Sequence, residues 1–193
     1  VMAALAFPTI KVDLEPEGVC GILGCVAGQD LSTIRSHAAT RLIELLSSDA
    51  LRKMSSFSPR QIVNFTRDLL RCDMLTDEVL DCVRRNAAVA VSSFPARDLS
   101  ALLVTFTKTN ACGEIPNSWF ETGSGKVVDM SHVDLFEYGH ALVQFCVSRP
   151  RAGFIKKMIT DFNDELIARS YDREMVTSVP LIVVGRFLAD MGL

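Results

Sequence analysis

The sequence contains no apolar stretch near the roughly 20 residues that a membrane-crossing helix needs. It also has no Cys-x-x-Cys pair, since its six cysteines stand apart at 20, 25, 72, 82, 112 and 146. Thiols scattered in this way predict reduced, mostly buried side chains, not a disulfide framework or a zinc centre. Histidine is scarce: His132 and His140 are eight apart and His37 is isolated. No carboxylate spacing completes a metal site around them, so neither a metal nor a cofactor is expected. A phosphate loop is missing as well. Gly123-Ser124-Gly125-Lys126 would need Gly at 120 and Ser or Thr at 127, where Phe120 and Val127 stand. That segment reads as a flexible turn. Gly18, Gly21 and Gly24 lack the Gly-x-Gly start of a dinucleotide fingerprint and are expected to pack against a second helix. No nucleophile and base stand in a recognisable arrangement, so no catalytic residue, small-molecule substrate or enzymatic role is expected.

Strong net charge is absent too. The chain of 193 residues carries a formal net charge of −3, which does not suggest wholesale polyanion binding. The distribution says more than the total. Residues 1–50 carry 3 Lys/Arg against 6 Asp/Glu, residues 51–110 carry 9 against 6, and residues 111–193 carry 8 against 11. Hydrophobic residues make up 49%, enough to bury a sizeable core.

The basic middle segment is also where the sequence repeats. Ser55-Ser56-Phe57 with Arg60 recurs as Ser92-Ser93-Phe94 with Arg97, at an offset of 94 − 57 = 37 residues. At the same offset Ile62 meets Leu99, Phe65 meets Leu102, and Leu69 meets Phe106. These pairs repeat an apolar helical face. A period in the high thirties is the mark of stacked helical hairpins, each with an apolar face that only its neighbours can cover.

Prolines punctuate the rest. Pro16, Pro59, Pro95, Pro116, Pro150 and Pro180 each precede a helix-compatible run, where a missing N–H costs nothing in the first turn. Residues 1–14 read as an irregular lead-in, with Thr9 to Leu14 alternating like a short strand. Residues 15–193 read as one helical-repeat domain. The first hairpin pairs a helix over 16–28 with one from about Ser32 to Lys53. The second pairs Pro59–Arg71 with a helix from a Thr76 cap to about Val91. The third opens with Ser93 as cap and carries Leu99, Leu102, Leu103 and Phe106; its mate, Pro116 to Phe120, is cut short by Gly123-Ser124-Gly125. The fourth starts near Ser131, with a mate from Pro150 to about Ser170, on which Asp161, Asp164 and Glu165 read as a solvated face. A fifth starts at Pro180. The expected fold is therefore all-α, a short α-solenoid of about five helical hairpin repeats.

The Ser-Ser-Phe and Phe-Ser-Pro starts, a charged residue ahead of Leu or Ile, and this period resemble the octotricopeptide and heptatricopeptide repeats. Related arrays accompany the RAP domain in organellar RNA-processing factors and occur in divergent mitochondrial ribosomes. The resemblance covers residues 55–110 well and residues 12–54 and 129–193 loosely; no RAP domain is visible. It implies a non-enzymatic protein of the mitochondrial matrix that binds RNA, such as rRNA or an organellar transcript, among the neighbouring proteins of a ribonucleoprotein. Its targeting segment is not visible in the sequence. A protein–protein scaffold subunit of a large mitochondrial complex is the other reading, favoured by the acidic ends.

The basic residues carry the functional expectation. Arg60, Asn64, Arg67 and Arg71 follow i, i+4, i+7, i+11 spacing, on the face away from Ile62, Phe65 and Leu69. Arg97 repeats Arg60, and Lys108 repeats Arg71 (108 − 71 = 37). Stacked repeats would set these cations side by side, where they could neutralise phosphates along an RNA strand. Arg149, Arg151, Lys156 and Lys157 form a second basic group, with no acid between Tyr138 and Thr160. Asp68 and Asp98 dilute the first group.

Overall fold

A computed structural model describes residues 13–30, 34–149 and 155–170. Within them the chain is all-helical, with no strand. The helices are α1 (Pro16–Ala27), α2 (His37–Lys53), α3 (Pro59–Arg71), α4 (Asp77–Ala90), α5 (Ala96–Thr107), α6 (Asn117–Ser124), α7 (His132–Ser148) and α8 (Ile155–Ser170). The strand expected at Thr9–Leu14 lies mostly outside the described residues, and the hairpin expected from Pro180 lies wholly outside them.

Local sequence explains most of the helix ends. Ser58 caps α3 in a reciprocal box with Gln61, and Pro59 occupies the first turn. Ser131 and Asp134 make the same box at α7. Thr76 caps α4 as expected, its hydroxyl accepting from the Val79 N–H at 3.4 Å. At the end of α3, Met74 N–H bonds the Leu69 carbonyl and Asp73 N–H bonds that of Leu70. This is a Schellman closure, and it leaves Asp73 at φ 58°.

Other boundaries differ from the sequence reading. The helix that ends at Lys53 starts at His37, because Ser36 takes the cap and accepts from Ala39 N–H at 3.3 Å; Ser32 lies outside the described residues. Ser93 does not cap α5; its hydroxyl donates to the Ala90 carbonyl at 2.7 Å instead. Pro95 and Pro116 stand at the cap positions rather than in the first turn, and neither cap has a side-chain bond. The α6 helix runs through Gly123, because a Cβ there would lie 2.5 Å from the ring of the buried Tyr138. That glycine marks a close approach, not a helix stop. Of the α1 glycines, Gly24 faces Asp68 on α3, Gly18 faces Leu14 and Gly21 faces nothing near, so none packs on α2.

The helices form two layers. In one, α1 packs on α3, α3 on α5 and α5 on α7. In the other, α2 packs on α4 and α6 on α8. The two layers bury one continuous apolar core. Leu99, Leu102, Leu103 and Phe106 of α5 are all buried between α3 and α7, as their periodicity requires. Aromatic rings close the later part: Phe106 meets Trp119 edge-on at 5.2 Å, Phe120 stacks on Phe145 at 4.2 Å, and Tyr138 lies 6.1 Å from Phe162. The Tyr138 hydroxyl donates to the Phe120 carbonyl at 3.0 Å.

The sequence repeat has a backbone counterpart. A single 3-10 turn occurs at Met54–Ser56, Val91–Ser93 and Val127–Asp129. After each comes an extended, buried residue, Phe57, Phe94 or Met130, whose N–H returns to the first residue of the turn. A cation at the end of a hairpin then reaches the carbonyls just ahead of that hairpin's first helix. Lys53 donates to the Leu14 carbonyl at 2.9 Å, Lys126 to that of Ser92 at 2.9 Å, and Arg169 to those of Met130, Val127 and Val128 at 2.6–3.1 Å. The α3–α4 hairpin has Ala90 at the equivalent point. Lys126 therefore belongs to a closure rather than to a flexible turn.

The acids of α8 are only partly a solvated face. Asp161 accepts from the Ser124 hydroxyl and Glu165 pairs with Arg169, which leaves Asp164 exposed.

Candidate functional site

The parallel stacking of α3, α5 and α7 sets equivalent positions side by side. Arg60 of α3 lines up with Arg97 of α5, and Arg71 with Lys108. Between these rows runs a middle column of Asn64, Ala101 and Glu137, at offsets of 101 − 64 = 37 and 137 − 101 = 36. The cations do not extend onto α7, where the corresponding residues are Val133 and Gln144.

The predicted cations divide into bound and free. Arg60 donates to the buried Asp98 at 2.6 Å. Arg67 and Arg71 both approach the buried Asp68, at 3.6 and 3.5 Å, and Arg67 also donates to the Asn64 amide oxygen at 3.1 Å. Arg97 and Lys108 are exposed, and their side chains make no hydrogen bond or ion pair among the described residues. The sequence reading saw Asp68 and Asp98 as diluting the patch. In the fold each is a buried counter-ion, which holds specific arginines in place.

The second basic group does not assemble. Arg149 turns to the loop ahead of α6, donating to Asn117 Oδ1 at 2.9 Å and to the Gly113 carbonyl, with its guanidinium 5.4 Å from the Phe145 ring centre. Its role is to hold that loop. Lys156 and Lys157 are exposed on α8, whose partners are α6 and the 127–129 turn, so they belong to the other layer. Arg151 lies outside the described residues.

Glu137 is the residue that sequence reasoning missed. It is half-buried on α7, in electrostatic reach of Lys108 and Arg97 on α5 and Arg67 on α3. Burial pushes its carboxyl above the usual range, helped by Asp134, while the three cations pull the other way. Asp68 and Asp98 have arginine partners and Asp134 is spent on the α7 cap, but Glu137 makes no hydrogen bond or ion pair among the described residues. Its register with Asn64, two repeats earlier, was the available signal.

Burial pushes Cys20 and Cys146 up to about 11, with Asp68 adding to the effect at Cys20. The cysteines whose side chains are described are unpaired, and no group of three or more metal-ligating side chains occurs among the described residues. No helix among them is long and apolar enough to cross a membrane. Comparison with known proteins returns no matching family model, no matching curated protein and no matching solved structure.

Proposed function

We propose that the chain is a short right-handed α-solenoid of octotricopeptide or heptatricopeptide type that works by binding RNA. On this reading it is a non-enzymatic component of a mitochondrial ribosome or RNA-processing ribonucleoprotein in the matrix. The observation that carries the RNA reading is the row-by-row stacking of α3 on α5, with Arg97 and Lys108 exposed beside Arg60 and Arg71. Cations at a regular step on adjacent helices suit a phosphate backbone, whose contacts position a strand without reading it. The family-type motif over residues 55–110 supports the assignment to this class and compartment.

A second reading has its own observation. Asp68, Asp98, Asp134 and Glu137 interleave with Arg60, Arg67, Arg71, Arg97 and Lys108, so the face is nearly charge-balanced. A balanced, polar face suits a protein partner in a scaffold.

Salt titration separates the two. Arg97→Gln and Lys108→Gln are the variants of choice, because neither side chain is paired directly to the buried Asp68 or Asp98, as Arg60, Arg67 and Arg71 are. Under the RNA reading, wild-type protein binds single-stranded RNA in a salt-dependent way. Each variant should then reduce the slope of log K against log salt by roughly 0.7 per lost phosphate contact. Absence of salt-dependent binding by wild-type protein rejects RNA in favour of the scaffold.

A further inference from the structure

The middle column on α3, α5 and α7 has a chemistry of its own. Asn64 and Glu137 stand at its two ends, with the small side chain of Ala101 between them. Cations flank the column: Arg60 and Arg97 on one side, Arg71 and Lys108 on the other. A backbone held by those cations would bring its bases toward the column. A half-buried carboxylate without hydrogen bonds cannot serve a phosphate, which it repels. It accepts only from donors, and it does so best with two parallel donors at once.

Single-stranded RNA presents its Watson–Crick edges to a protein. Among the common bases, only guanine offers two adjacent donors there, N1–H and the N2 amino group. Cytosine and adenine offer one amino group beside an acceptor, and uracil one imide N–H between two carbonyls.

We propose that Glu137 is a specificity-determining residue that selects a guanine in the bound strand by accepting from its N1–H and N2 amino groups. This rests on the RNA reading of the face. Asp68, Asp98 and Asp134 cannot take the role, since Arg67 and Arg71, Arg60, and the α7 cap respectively occupy them.

The test uses fluorescence anisotropy with the full chain and uridine dodecamers carrying one central guanosine, inosine, adenosine or uridine. Wild-type protein should bind the guanosine strand about tenfold more tightly than all-uridine, the discrimination expected of a bidentate base contact. Inosine, which keeps N1–H but lacks the amino group, should fall between. Glu137→Gln should bring guanosine and uridine within about twofold of each other, with thermal unfolding unchanged and salt dependence retained. An equal gain for every strand on Glu137→Gln would mark a mere charge effect and overturn the proposal. Salt-dependent binding without base preference in wild-type protein would overturn it as well, and leave the RNA reading standing. No binding to any strand would remove both.

Discussion

Arg60 and Arg97 occupy the same register one repeat apart, yet their surroundings differ. Arg60 is tied to Asp98, whose side chain is only 7% exposed, whereas Arg97 is exposed and unbonded among the described residues. Removing Arg60 leaves a buried carboxylate without its counter-ion, a loss of about 1–3 kcal/mol. Arg60→Ala should therefore lower stability by that order in urea unfolding, while Arg97→Ala should stay within about 0.5 kcal/mol of wild type, as surface changes do. Equal effects would mean that the ion pair carries no net stability. The sequence made the equivalence of these arginines plain. It did not reveal the difference, because Asp98 reaches Arg60 across a helix–helix contact that spacing along one helix does not encode. Glu137 was hidden for the same reason: it is one residue on α7, and it gains meaning only when α3 and α5 lie beside it.

At the scale of elements, apolar period and caps were the legible part. The run Leu99, Leu102, Leu103, Phe106 was readable as a face, and α5 buries all of it between α3 and α7. Leu102→Ala removes a large side chain from a position 1% exposed, so thermal or urea unfolding should report a loss of about 2–5 kcal/mol. A change within error would mean that the α5 face can collapse onto the space. The short helix α6 was less legible. Gly123 looked like a terminator, since glycine disfavours helix interiors. In the fold the ring of Tyr138 needs the space, and tertiary packing outweighs propensity. The α8 acids were misjudged in a similar way, because Ser124 comes from α6 to meet Asp161, while Arg169, one turn along α8, pairs with Glu165.

Across the whole molecule, the loose period of the sequence corresponds to a regular backbone event, the 3-10 turn followed by a buried extended residue at Phe57, Phe94 and Met130. Helical class followed from the sequence directly. The long-range closures did not, because Lys53, Lys126 and Arg169 bind carbonyls, which carry no residue identity to recognise. Those closures bear on how the molecule comes apart. Each joins the beginning of a hairpin to its end, and so makes opening of that hairpin an all-or-none event rather than a fraying of one helix. The α3–α4 hairpin, with Ala90 in that place, has no such tie among the described residues. Cooperative units in a protein open at different free energies, and the least restrained exchange first. Native-state hydrogen exchange should therefore find the amides near the end of α4 opening at lower free energy than those near the ends of α2 and α6, and Ala90→Lys should slow them. The weak seam of the molecule would then run beside α3, the helix that supplies Arg60 and Arg71 to the proposed RNA face, so a bound strand spanning α3 and α5 would act as the missing fastener.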